Sequence, residues 1–275
     1  MSCFIIAELG INHNGSIEIA KKLISAAKWA GADAVKFQKR TVEVVYAGQL
    51  DKPRESPWGK TNGDQKRGLE FGRAEYDEID RYCKEIGMPW FASAWDVEAQ
   101  DFLKPYDCNW NKIASAMATN LNFVRQVGLE HKPVFLSTGM CTLPEITMAA
   151  LTLQELDCDV TLMHTVSIYP ADETTLNLQC IRTLRERFNL PVGYSGHEAS
   201  VSPSVVAVAL GAVAIERHIC LSRADYGSDQ AASLEPMGFY NLVQQIRKIP
   251  AMLGDGNKVI LPGEVEVAKK LRYWT

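Results

Sequence analysis

Eight short runs rich in β-branched and aromatic residues alternate along this chain with stretches patterned for amphipathic helices. The runs are Phe4–Gly10, Ala34–Gln38, Pro89–Trp95, Trp110–Ser115, Pro133–Thr138, Val160–Thr165, Pro191–His197 and Ala212–Ile219. Several are apolar through most of their length, as parallel strands buried on both faces should be. The helix patterns are Ser16–Ala30, Arg73–Ile86, Asp96–Leu103, Asn120–Glu130, Leu143–Leu156, Thr174–Phe188, Ser202–Leu210 and Met237–Leu253. Ser16 is an N-cap candidate, and Gly31 and Gly87 follow helix ends. Strand and helix repeated eight times over about 250 residues specify an α/β fold of the (β/α)8 TIM-barrel class. A doubly wound open sheet is the alternative, but no G-x-G-x-x-G follows the first run.

The expected division is a barrel over 1–255 and a C-terminal tail over 256–275 with no second domain. The tail is expected to close the barrel floor, pack on a neighbour, or be partly helical from Glu264. A long polar connection, 39–72, follows the second strand, and loops of that length are commonly functional. Hydrophobic residues make up 47% and charged residues 23% of the 275, which suits a globular protein with ample core. The net charge of −4 argues against a nucleic-acid surface, which needs clustered Lys and Arg. Seven scattered cysteines with no C-x-x-C pair read as reduced thiols. No signal peptide or membrane span stands out, so a cytoplasmic protein is expected.

Barrel active sites lie at the C-terminal ends of the strands. The sequence puts Glu8, Lys36, Gln38, Ser93, Lys112, Ser115, Ser137, Ser195, His197, Glu216 and His218 there, with Asp225 and Asp229 in the loop beyond. Two lysines within strands require an anion or an internal acid. With the neighbouring hydroxyls, Lys36 and Lys112 read as an anion cradle. The alternatives are pairing with a carboxylate such as Glu8, or Schiff-base chemistry. His197 and His218 end adjacent strands and, near Asp229 and Glu8, suit a divalent metal. His164 suits a satisfied core position, His13 a hydrogen-bonding role in its loop, and His131 the solvent side of the barrel floor.

The segments AELGINHNGS, AGADAVKFQ, NKIAS, PVFLSTGM, H-x-x-S-x-Y-P at 164–170, VGYSGH, ALGAVAIERHICL and GSDQAASLEP together resemble the sialic acid synthase family. The resemblance covers about residues 4–255 in order. It implies a barrel enzyme that condenses phosphoenolpyruvate (PEP) with an N-acyl amino sugar, releasing phosphate and forming a nonulosonic acid. It implies PEP binding by Lys36, Ser93, Lys112, Ser115, Ser137 and Ser195, and catalytic roles for Glu8, Lys36, Lys112 and Asp229. Ser167, Tyr169 and Asp229 match sugar-side positions. His197 and His218 match ligands of a divalent metal, typically Mn2+, with Mg2+ or Co2+ as substitutes. A homodimer is also implied.

The departures are local. Met117 stands where the family has an acid, Ser167 where it has Asn, and Gly196 where it has Asp. Ser93-Ala94-Trp95 replaces a Ser/Thr-Pro-Phe turn, and Asp229-Gln230 an Asp-His pair. Family members usually carry a C-terminal antifreeze-like domain that reaches the partner's barrel; none is expected here, and the 39–72 loop or another chain is expected to close the pocket instead. These departures imply a changed acceptor or lowered activity. Two other readings stand beside this one. The first is a synthase of a phosphorylated 3-deoxy sugar acid, or a metal-dependent aldolase, with Arg40, Arg54, Lys60, Lys66 and Arg67 as a second basic cluster. The second is a non-catalytic ligand-binding barrel.

Overall fold

The computed structural model describes residues 3–274. Eight parallel strands close into a barrel. Numbering only the barrel strands, they are β1 (Phe4–Gly10), β2 (Ala34–Lys39), β3 (Trp90–Ala94), β4 (Asn111–Ile113), β5 (Val134–Ser137), β6 (Val160–Thr165), β7 (Val192–Gly196) and β8 (Ala214–His218). Each strand pairs with its chain neighbours, and β1 closes the ring against β8. Each run expected to be a strand is one: β1 and β6 keep the expected bounds, β2 runs one residue further, and the others are trimmed by a residue or two at the ends, which leaves β4 with three residues.

The helices follow their caps. Ile17–Ala30 starts at Ser16, whose side chain accepts from the Ile19 N–H, and stops at Gly31 in the left-handed region. Asp96 caps Val97–Leu103 and Asn120 caps Leu121–Gly128 in the same way. The helix expected over 174–188 is shorter. A 3-10 turn occupies Glu173–Thr175, and the α-helix begins at Cys180. Asp172 bonds the Thr174 N–H, which satisfies the backbone locally and separates the turn from the helix.

Period-two alternation divides the strands into two faces. Outward residues pack against the helices in a large apolar core. Inward, Ile6, Ala34, Phe91, Phe135, Met163 and Ala214 fill the barrel interior. One step further along the strands, the inward positions turn polar: Glu8, Lys36, Ser93, Lys112, Ser137, Thr165, Ser195 and Glu216, all buried. The fold thus stacks a charged layer on an apolar plug, open toward the strands' C-terminal ends.

The 39–72 connection is not a plain loop. It holds a helical turn (Val42–Val45), a hairpin (Pro53–Ser56 with Gly59–Thr61) and a helix (Asn62–Leu69). It folds over the loop after β8: Gln65 donates to the Tyr226 hydroxyl at 2.7 Å and Trp58 meets the Tyr226 ring edge-on. The tail does become helical, over Pro262–Leu271, but none of that helix is buried, so it does not close the barrel floor.

Candidate functional site

Strand register sets the site. Glu8 on β1 lies opposite Lys36 on β2 and His218 on β8. Ser93 pairs with Lys112, and Glu216 with Ser195. These side chains meet at the mouth of the barrel around a cavity of about 260 Å³. Lys36, Lys112, Ser93, Ser115, Ser137 and Ser195 all line it, as do Glu8, Ser167, Tyr169, His197 and His218. Asp229 does not line this cavity. It stands at its edge, 3.7 Å from His218 Nδ1, because it lies in the loop beyond β8.

Both lysines have carboxylate partners, as one alternative reading of them required. Lys36 Nζ is 2.8 Å from Glu8 Oε2 and 3.6 Å from Glu216 Oε1, and it donates to Ser93 Oγ at 2.9 Å. Lys112 Nζ is 2.8 Å from Glu216 Oε2. Two acids and two ammonium groups therefore alternate, and their formal charges cancel. Burial works to raise the Glu216 carboxyl, but Lys112 and Lys36 outweigh it and hold it at about 2. Burial opposes the charge on Lys36 too, yet Glu216 and Glu8 raise its pKa above the ordinary value. Lys112 has one acid and stands near Lys36, so burial dominates and its pKa falls. A Schiff base needs a neutral amine, and Lys36 between two acids is held protonated.

The hydroxyls complete the cradle. Ser195 Oγ donates to Glu216 Oε1 at 3.2 Å, and Ser115 Oγ accepts from the Gly139 N–H at 3.0 Å. Gly139 lets the two hydroxyls approach, since a Cβ there would lie 2.3 Å from Ser167 Oγ and 2.9 Å from Ser115 Oγ and would displace both.

The imidazoles sit side by side. The rings of His197 and His218 are 5.5 Å apart, and Tyr169 lies 4.0 Å from His197. Burial, then His218, lowers the His197 pKa to about 3, so its ring is neutral at physiological pH. His197 Nδ1 is 2.8 Å from the Val166 carbonyl, which fixes that nitrogen as the donor and leaves Nε2 with a free lone pair. His218 Nδ1 is buried with no hydrogen-bond partner. Among the described residues no three His, Cys, Asp or Glu side chains gather at ligand spacing. Two adjacent imidazoles, each with a ring nitrogen uncommitted to the protein, fit a divalent ion whose shell is completed by water and substrate oxygens.

The remaining histidines are structural. His164 is 2.8 Å from the Leu176 carbonyl, and His131 is exposed at the floor. His13 is buried and stacks on Phe71 at 4.0 Å.

The departures have physical readings. Met117 faces a separate surface groove with Val44 and Val45, so the missing acid leaves the main cavity's lining unchanged. At Gly196 a Cβ would lie 2.7 Å from the Glu198 carboxylate. Glu198 forms a buried pair with Arg217 at 2.9 Å and accepts from the Tyr194 hydroxyl. An Asp at 196 would collide with that network.

Sequence reasoning left Glu216 without a role, although it shares strand parity with His218. It also gave no role to Trp95, which lines the cavity and stacks under Arg40 at 4.2 Å.

The NeuB family model matches residues 23–258. The chain is 37% identical to N-acetylneuraminate-9-phosphate synthase of Homo sapiens over 98% of its length and 76% of the relative's. It is 34% identical to N,N'-diacetyllegionaminic acid synthase of Legionella pneumophila, covering 99% of this chain and 79% of that one. Its fold is similar to that of N-acetylneuraminic acid synthetase from Leptospira borgpetersenii, with a TM-score of 0.87, 29% identity, and coverage of 99% and 93%.

Proposed function

The chain belongs to the NeuB family, and we propose that it is a nonulosonic acid synthase that joins PEP to an N-acylated amino sugar. The observation that carries this is the interleaved quartet Glu8–Lys36–Glu216–Lys112, ringed by serines and abutting two imidazoles in one cavity.

Lys36 and Lys112, with Ser93, Ser115, Ser137 and Ser195, grip the phosphate and carboxylate of PEP. A preorganised layer of ammonium and hydroxyl donors replaces the water around those anions without reorganising during the reaction. C3 of PEP attacks the acceptor aldehyde carbon, forming the C–C bond, and the aldehyde oxygen ends as a hydroxyl. Water adds to C2 and gives up a proton. The C2–O bond to phosphate then breaks, leaving a 2-keto acid and inorganic phosphate. Glu8, held by Gln38 at 2.6 Å, passes that proton to the former aldehyde oxygen and orients acceptor hydroxyls, with Asp229, Ser167 and Tyr169 on the sugar side, and the proton of the new C2 hydroxyl leaves with phosphate. His197 and His218 would hold the divalent ion, Mn2+ in this reading, which supplies Lewis-acid polarisation of the aldehyde. We place the protein in the cytoplasm as a homodimer. Free thiols at all seven cysteines and the family resemblance support this. No helix among the described residues is long and apolar enough to cross a membrane.

The test is phosphate release from PEP with Mn2+ and a panel of N-acetylated and N,N'-diacetylated aldoses. Release that depends on both metal and amino sugar is expected. Tight PEP binding without release for any acceptor would instead favour a non-catalytic barrel.

A further inference from the structure

Arg217 and Glu198 form a fully buried ion pair, 2.9 Å apart, that does not line the cavity. Each is the chain neighbour of a candidate metal ligand. Arg217 precedes His218 at the end of β8, and Glu198 follows His197 just after β7. In the register of the two strands Arg217 lies opposite Gly196. His218 faces the cavity, so Arg217, one step back along the pleat, points outward behind it. Most outward strand positions are apolar. Behind the two histidines a charged network fills that layer instead.

The network is tied to the backbone. Arg217 Nη2 donates to the Glu198 carbonyl, and Nη1 donates to the Ser200 carbonyl at 2.7 Å and to Ser204 Oγ at 3.1 Å. The Tyr194 hydroxyl donates to Glu198 Oε2 at 2.8 Å. Residues 198–201 belong to no helix or strand. The guanidinium therefore supplies to their carbonyls what ladder N–H groups supply within a sheet. Stability alone gives no reason for such a pair, since apolar residues of like volume are often neutral or stabilising in its place. Arg217 Nε is even left buried without a partner.

We infer that Arg217 and Glu198 are positioning residues for the metal site. They brace the turn after β7 against β8 from outside the cavity and so fix the separation of the His197 and His218 rings, 5.5 Å between centroids. This rests on the metal reading of those histidines above. A divalent ion holds its nitrogen ligands within about 0.2 Å of a set distance, so imidazoles from two strands serve it only if the strand ends do not splay. Hydrogen bonds within the site constrain the rings little. His197 Nδ1 has the Val166 carbonyl, and His218 Nδ1 has no partner. The constraint falls on the backbone, and the ion pair holds the backbone. The PEP cradle is anchored elsewhere for the most part, with Lys36, Ser93 and Lys112 on β2, β3 and β4.

The experiment strips the protein of metal and measures its Kd for Mn2+ by calorimetry without substrate. The Kd for PEP is measured separately on the metal-free protein. Arg217→Lys should weaken Mn2+ binding about 30-fold, and Tyr194→Phe, which takes one hydrogen bond from Glu198, about threefold. PEP affinity should stay the same in both, a split that general loosening of the barrel would not produce. Tyr194→Phe keeps the packing and the charges, and it carries the test if Arg217→Lys does not fold. Unchanged Mn2+ affinity in Tyr194→Phe would overturn this inference and leave the metal reading standing. Parallel loss of Mn2+ and PEP affinity would also overturn it, because the pair would then support the whole barrel mouth. No Mn2+ binding by the unaltered protein would overturn the metal reading, and this inference with it.

Discussion

Two ammonium groups buried in one cavity repel each other unless anions interleave, and Glu8 and Glu216 do this between Lys36 and Lys112. Glu216 is the shared partner, bonding Lys112 through both oxygens at 2.8 and 3.0 Å. Removing its charge leaves Lys112 without a counter-ion in a place where water cannot replace it. Glu216→Gln is therefore expected to cost about 3 kcal/mol of stability, read by urea unfolding. Saturating PEP should then stabilise the variant more than the unaltered protein, because the ligand supplies the missing negative charge. Equal ligand stabilisation of both proteins would count against the anion cradle. The lysines and serines were legible in the sequence, since polar residues inside apolar runs are unusual. The alternation of charges was not, because it depends on which strands close against each other.

The element that most shapes the acceptor side is the folded connection between β2 and β3. It is seated by close backbone contact. Gly15, with φ of 68°, approaches so near that a Cβ would lie 2.0 Å from the Gly68 carbonyl oxygen. A Cβ on Gly68 would in turn lie 2.1 Å from the Trp58 ring. Neither backbone nor a packed indole can retreat far enough, so a side chain here must unseat the helix Asn62–Leu69. Gly68→Ala should open 39–72 to limited proteolysis while the barrel stays resistant, as mass spectrometry of the fragments would show. Unchanged cleavage would mean that the segment is anchored elsewhere. The sequence marked this stretch as too long for a simple loop. Its hairpin and helix were hidden because they are short, and the helix is strongly polar (NGDQKRGL).

At the scale of the whole molecule, acid stability should carry the imprint of His13. Burial lowers its pKa from 6.5 to about 3, partly opposed by the Gly10 backbone. The unfolded chain takes up a proton below pH 6.5 that the folded protein refuses until about pH 3. The associated stability is complete above the upper value and is lost as pH falls through that window, by up to about 1.4 kcal/mol per pH unit. His13→Asn keeps an acceptor for the Gly15 N–H and should flatten this slope in unfolding measured from pH 7 to 4. An unchanged slope would assign the acid sensitivity to other groups. The sequence by itself determined the barrel, because eight apolar runs separated by helix patterns can bury their surfaces in few other ways. It also determined which residue types stand at the strand ends, since each run shows where its polar residues fall. Only the tertiary structure decided which of them meet. Glu216 between the two lysines, Asp229 outside the main cavity, Met117 turned away from it, and Arg217 brought against Glu198 all follow from register, closure and the folding of the connections. Those are contacts between residues distant in sequence, and no local pattern records them.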